Sequence, residues 1–186
     1  MPGRRPVLPK QARPAQEARQ LTPEQERERL LMYAFRALGQ RALSEAELRQ
    51  RLLRRTGDPE LAGSVLERVK ELGYLSDDLV ARVEAGRRGV GEHRVRQKLR
   101  QRGLEPELIE QAVADRDQEA ELEDARQLLA RRWPGFQRAP DPRRRAHAFL
   151  SRRGYPGAVI WQLLAELELG LPEDEEPKDM DEAAPD

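Results

Sequence analysis

Along residues 22–169 apolar side chains recur every three or four positions, and glycine, proline and capping residues interrupt this helical period. Thr22 before Pro23 and Glu24 predicts an N-cap followed by proline at the first helical position. That helix turns Leu30, Leu31, Tyr33, Ala34, Ala37 and Leu38 inward and stops near Gly39. Ser44 and Glu47 form a capping box for a second helix, with Leu48, Leu52 and Leu53 inside and Gly57 as its stop. Asp58-Pro59 opens a third, which carries Leu61, Val65, Leu66, Val69 and Leu72 to Gly73. Ser76-Asp77-Asp78 opens a fourth, where acids suit the positive end of the helix dipole, and it ends near Gly86 or Gly89. A fifth spans about 90–102 with Val95 and Leu99 inside, and a sixth begins at Glu105-Pro106 with Leu108, Ile109, Ala112 and Val113. A seventh, about 117–132, breaks at Trp133-Pro134-Gly135. An eighth starts at Asp141-Pro142 and a ninth follows Pro156.

These helices repeat. With VRQKLRQRG (95–103) set over AHAFLSRRG (146–154), Leu99 meets Leu150 and Gly103 meets Gly154 at an offset of 51. The same offset puts Leu108 on Val159, Ile109 on Ile160, Gln111 on Gln162 and Val113 on Leu164. LRQRLLRRTG (48–57) aligns with the same segment, with Leu52 over Leu99 and Gly57 over Gly103. The expectation is an all-α chain of three tandem three-helix repeats, 22–73, 74–115 and 116–169, forming an elongated, curved helical array. Each unit is too small to hold much core alone, so neighbours are expected to share apolar surface.

Charge changes the picture at both ends. Residues 1–21 carry +4 with four prolines, and residues 170–186 carry −7; both read as disordered, a basic arm and an acidic tail. A tethered tail of that charge is expected either to compete with nucleic acid for basic faces or simply to add solubility. The whole chain sums to zero, with 34 basic and 34 acidic residues. Thirty of the basic residues are Arg, which fits either a compositional bias or many bidentate contacts to phosphate and carboxylate. No cysteine is present, which excludes disulfides, thiol nucleophiles and iron–sulfur clusters. No apolar run approaches a membrane span and the N-terminus lacks a signal-peptide core, so a soluble cytoplasmic protein is expected.

His93 and His147 have no nucleophile pattern beside them, no H-x-x-x-H spacing exists and no P-loop lysine occurs, so no metal, cofactor or catalytic role is expected. The basic residues are more informative. Arg87, Arg88, Arg94, Arg96, Lys98, Arg100 and Arg102 crowd positions 87–102 with Glu92 the only acid. With Val95 and Leu99 inward, Arg96 and Arg100 share one flank and Arg94 and Lys98 the other. A solubilising face mixes signs through i,i+4 pairs; this run does not, and it reads as a polyanion-binding face. Arg143, Arg144, Arg145, Arg152 and Arg153 repeat the theme, the first three at the unfavourable end of a helix dipole. Arg49, Arg51, Arg54 and Arg55 are more diluted by Glu45 and Glu47, so the second unit's face is expected to matter more than the first's. Trp133, Phe136 and Trp161 are expected in packing rather than as stacking platforms for bases.

Three ordered motifs resemble the bacterial RecX family: Arg41-x-x-Ser44-x-x-Glu47-Leu48-x-x-x-Leu52, then KELGYLSDD (70–78), then Gly91-x-x-Arg94-Val95-x-x-x-Leu99-x-x-x-Gly103-Leu104. The resemblance covers roughly 30–169 and is most specific over 41–113; the third repeat matches weakly, and Val80 stands where the family commonly has an aromatic residue. It implies three tandem three-helix repeats, no enzymatic activity, and regulation, mostly inhibition, of the RecA recombinase by binding in the groove of the RecA–DNA filament and to DNA. The implied partners are RecA, its filament, and single- or double-stranded DNA through phosphates; a monomer is the expectation for the chain itself. Two other readings stay open: a DNA-binding helical protein acting without RecA, and a scaffold that binds only proteins. Asp-Pro, Glu-Pro and Tyr-Pro after Gly57, Gly103 and Gly154 are poor material for reading base edges, which argues against sequence-specific DNA binding.

Overall fold

The computed structural model describes residues 21–169; the predicted acidic tail, and the basic arm except for Leu21, lie outside the described residues. Among the described residues are nine α-helices and no strand: α1 Pro23–Gln40, α2 Glu45–Thr56, α3 Pro59–Glu71, α4 Asp77–Ala85, α5 Glu92–Gln101, α6 Pro106–Ala114, α7 Gln118–Phe136, α8 Pro142–Arg152 and α9 Gly157–Leu169. Most start where the sequence supplies an acceptor for the first orphan N–H groups. Thr22 and Ser44 close capping boxes, and Asp58, Ser76, Asp117 and Asp141 cap through their side chains. One expected break is absent. Helix α7 runs through Pro134 to Phe136, and Trp133 and Phe136 pack on the third core. Proline so near a helix end removes one hydrogen bond in the last turn, and that packing holds the turn together.

Each run of three helices closes on its own apolar cluster. The first centres on Leu30, Leu48, Leu52, Val65 and Leu66, the second on Val80, Val95, Leu99 and Ile109, and the third on Ala125, Leu150, Ile160 and Leu164. Leu75, assigned from sequence to the second unit, joins the first cluster. Val80 is 1% exposed, so the departure from the family pattern concerns how the second core is filled.

The expected shared apolar surface is replaced by hydrogen bonds between middle helices. The Ser44 hydroxyl at the start of α2 donates to the Arg102 carbonyl at the end of α5, at 2.6 Å. At the start of α5, Gly91 N–H donates to the Arg153 carbonyl and His93 N–H to the Gly154 carbonyl at the end of α8. Helices α2, α5 and α8 therefore meet head to tail, and the positive N-terminus of one receives the partly negative C-terminal carbonyls of the next. This explains why α5 begins at Gly91 with no capping side chain. Its orphan donors are satisfied by the third unit, together with the Glu121 carboxylate, which accepts from Glu92 N–H.

Both joints close on glycine: at the first, a Cβ on Gly103 would lie 2.6 Å from the Ala46 Cβ, and the second closes on Gly154 and Gly91. Gly154 has φ +82°, and a Cβ there would lie 2.4 Å from the Arg94 nitrogen. A Cβ on Gly91 would lie 2.3 Å from the Gly154 and Tyr155 backbone.

Candidate nucleic-acid and filament interface

Arg102 is the first correction to the basic face read from sequence. It is 7% exposed and sits inside the first joint. Its guanidinium donates to Glu47 at 2.8 Å, to Glu84 at 3.1 Å and to the Ala42 carbonyl at 2.7 Å. A buried guanidinium with four of its five N–H donors already used has little to offer phosphate. Burial alone would push the Glu47 carboxyl up, but hydrogen bonds from Arg102, the Ser44 N–H and Arg41 outweigh it and hold the group at about 2. Glu84, itself 5% exposed, also pairs with Arg87 at 3.1 Å. Asp77 closes the same joint by accepting from Glu45 N–H at 2.8 Å, and burial pushes its carboxyl up.

The rest of the second unit's face is one-signed in sequence but mixed in space. Arg96 lies between Glu92 at 2.8 Å, four residues back on α5, and Glu110 at 3.0 Å on α6. The hydrogen bonds from Glu92, and then from Glu110, raise its pKa further against the small cost of burial. Arg100, on the same flank as predicted, is 3.9 Å from Glu110. Lys98 is exposed and makes no ion pair among the described residues.

The second joint takes the next group. Arg94 donates to the Arg152 carbonyl, and Arg153 donates to the Gly89 carbonyl while stacking 4.9 Å over the Phe149 ring. Arg88, although 86% exposed, reaches Asp124 at 3.5 Å. Arg116 was not singled out from sequence, yet it clamps this joint: it pairs with Glu121 at 2.9 Å and donates to the Val90 and Ala85 carbonyls. Tyr155, 2% exposed, lies close by. Burial pushes its hydroxyl up to about 12, with the Asp124 and Glu121 charges adding to the effect.

In the third unit three of the predicted arginines gather on one surface. Arg144, Arg145 and Arg152 line an open hollow of about 530 Å³ with Phe136, Pro140, Asp141 and Ala148. The one acid, Asp141, is engaged in capping through Arg144 N–H at 2.8 Å. Arg143, the first of the triplet, is exposed in the same first turn of α8. Trp161 corrects another expectation: it is 58% exposed, tilted against His147 with ring centres 5.5 Å apart. Ile160, Leu163 and Leu164 occupy the inward face of α9, and one residue of helical rotation turns position 161 away from it.

A sequence signal for the joints did exist. Arg-Gly stands at 102–103 and again at 153–154, at the repeat offset of 51, while the aligned pair in the first unit is Thr56-Gly57. Arginine occurs at this point only in the two units that have a unit before them to join. The first and third motifs behind the family resemblance are also joint residues: Ser44 and Glu47 meet Arg102, Arg41 pairs with Glu47, and Gly91 and Arg94 meet the end of α8.

Comparison with known proteins agrees with this architecture. Residues 80–113 match the family model described as RecX, second three-helix domain, and residues 119–164 match RecX, third three-helix domain. The Regulatory protein RecX of Deinococcus radiodurans is 56% identical over 154 residues, which span 83% of this chain and 76% of that protein. That of Trichlorobacter lovleyi is 40% identical over 139 residues, 70% of this chain and 90% of that one. The crystal structure of RecX from Lactobacillus salivarius superposes with a TM-score of 0.69 at 13% identity, covering 77% of this chain and 97% of that one, a likeness of fold. On the first of these relatives, matched over most of both sequences, the chain belongs to the RecX family of regulatory proteins.

Proposed function

We propose that this chain regulates a RecA recombinase, lowering its activity by binding the RecA–DNA filament as a cytoplasmic monomer. The observation that carries the reading is the 56% identity to a regulatory RecX over 83% of the chain. The repeat geometry supports it. Direct hydrogen bonds between middle helices fix the spacing of the three units, and a helical filament presents sites at fixed spacing. Binding to DNA is through phosphates rather than base edges, because α3 and α6 begin with proline and α9 follows Pro156. The chain turns over nothing itself. No cluster of His, Cys, Asp and Glu suited to a metal ion occurs among the described residues, and no helix described is long and apolar enough to cross a membrane.

The test is RecA's single-stranded-DNA-dependent ATP hydrolysis, with the chain added over a wide stoichiometric range. A dose-dependent fall is expected. An unchanged rate, with filaments confirmed by sedimentation, contradicts the regulatory reading. ATP hydrolysis by the purified chain alone contradicts the statement that it is not an enzyme.

A further inference from the structure

The C-terminal half of α2, GlnArgLeuLeuArgArgThr at 50–56, has three arginines and no acid. Arg51, Arg54 and Arg55 are three and four residues apart, so they share one helical face, with Cβ atoms about 5–6 Å apart. Together with Tyr33 of α1 they are the whole lining of an open hollow of about 420 Å³. Two of the three are held in position without being neutralised. The Arg55 guanidinium stacks 4.9 Å over the Tyr33 ring, and Arg54 donates to the Gln50 carbonyl and side-chain oxygen. None of the three makes an ion pair among the described residues. A guanidinium steadied by a ring or an amide keeps its full charge and loses less freedom when it grips an anion.

Among the described residues, no other unit covers this end of α2. Gly57, with φ +73°, has nothing within 4 Å of a Cβ placed there, whereas the equivalent Gly103 and Gly154 are each covered by the preceding unit. A second hollow of about 290 Å³ adjoins it, sharing Arg54 and Arg55 and adding Arg29, Leu21, Leu30, Thr56 and one acid, Glu26. Glu26 already accepts from the Thr56 hydroxyl. The α2 dipole accounts for part of this charge, since cations favour a helix C-terminus. It does not account for Arg51, a full turn further back, or for Arg29 on another helix.

We infer that Arg51, Arg54 and Arg55, the last two positioned by Gln50 and Tyr33, form a phosphate-binding site for one strand of single-stranded nucleic acid, running along α2 toward Arg29. A row of guanidiniums at regular spacing suits a polyanion with regularly repeated phosphates. The N-terminal arm carries +4, which makes it a poor match in charge for this face. The inference deepens the filament reading and rests on it for its setting, but the test contains no RecA, so the two can fail separately.

The test is fluorescence anisotropy of a labelled thirty-nucleotide oligo-dT with the full chain, titrated at several salt concentrations. The variant carries Arg51→Gln, Arg54→Gln and Arg55→Gln. Each lost phosphate contact removes about 0.7 from the log–log salt slope, so the slope should shrink by about 2 and affinity at 0.1 M salt should fall by about 100-fold. Arg51→Lys with Arg54→Lys and Arg55→Lys should keep the slope. An unchanged slope in the Gln variant, with an unchanged circular dichroism spectrum, overturns the site. So does a folded Lys variant that loses the slope as the Gln variant does. Retention of a peptide with the sequence of residues 171–186, by a chain that does not retain oligo-dT, also overturns it by making the face a docking place for acidic peptide.

Discussion

LRQRLLRRT in α2 and VRQKLRQR across the end of α5 occupy equivalent places in the repeat, and both are rich in cations. In α5 those cations, Lys98 excepted, have been met by carboxylates: Arg96 by Glu92 and Glu110, Arg100 by Glu110, Arg102 by Glu47 and Glu84. In α2, Arg51, Arg54 and Arg55 have a tyrosine ring and a glutamine for neighbours and no carboxylate bonded to them. The helix that looks more basic in sequence is the one whose charge is used to hold the molecule together. Charge along a chain therefore says little about charge offered to a partner until the facing helices are known. An arginine at a joint is valuable because its fork can satisfy carboxylates and carbonyls from two units at once.

The sharpest way to break this comparison is to remove Arg102. Glu84, 5% exposed, would lose the buried one of its two guanidinium partners, and Glu47 would lose its strongest hydrogen bond. Arg102→Ala should cost about 3–5 kcal/mol, as loss of one member of a buried ion pair does. Arg55→Ala, on the open face, should cost about 1 kcal/mol or less. Urea unfolding followed by circular dichroism measures both, and equal losses would erase the distinction between the two helices.

Gly91→Ala comes next. Its methyl group would meet the Gly154 and Tyr155 backbone at 2.3 Å, where no flexible side chain can yield. A cost of about 1–3 kcal/mol is expected, together with an increased radius of gyration in small-angle scattering as the third unit swings away. A variant with wild-type dimensions and stability would show that the joint is not closed on this glycine.

A smaller effect concerns acid. The ordinary value for Glu47 is 4.5, and the folded protein holds it at about 2. A group depressed in this way contributes stability above about pH 4.5, and that contribution is lost as pH falls from there toward 2. The urea midpoint should fall across that window in the wild-type chain and fall less in Glu47→Gln, which starts lower. A parallel decline in both would remove Glu47 from the account of the joint.

Much of the fold was legible because it is local. Helix starts at Thr22, Ser44, Asp58, Ser76 and Asp141 each need only a capping residue and the apolar period after it, and the structure places them there. The inward stripe of Val95 and Leu99 was legible for the same reason. The use of the arginines was not. Arg102 meets Glu47 across 55 residues of sequence, Arg153 meets Gly89 across 64 and Arg94 meets Arg152 across 58, and a helical period reports only a helix's own faces. The expectation of shared apolar surface failed because the apolar positions of each unit were enough for a cluster of its own, leaving polar groups to make the joints. Trp161 failed by one residue of rotation on an apolar helix.

The central claim is that the cations of α5 serve the structure while those of α2 face a partner. The most direct measurement is the salt dependence of oligo-dT binding by a chain with Arg94→Gln, Arg96→Gln, Lys98→Gln and Arg100→Gln. Four phosphate contacts would remove about 3 from the log–log slope, at about 0.7 each. With Arg96 held by two carboxylates and Arg100 beside Glu110, the two cations of the four without a carboxylate are Lys98 and Arg94, the latter bonded only to a carbonyl, and the account predicts a change of about 1.4 or less. A loss of about 3, with the helix content unchanged, would contradict it and return the partner-facing role to the second unit.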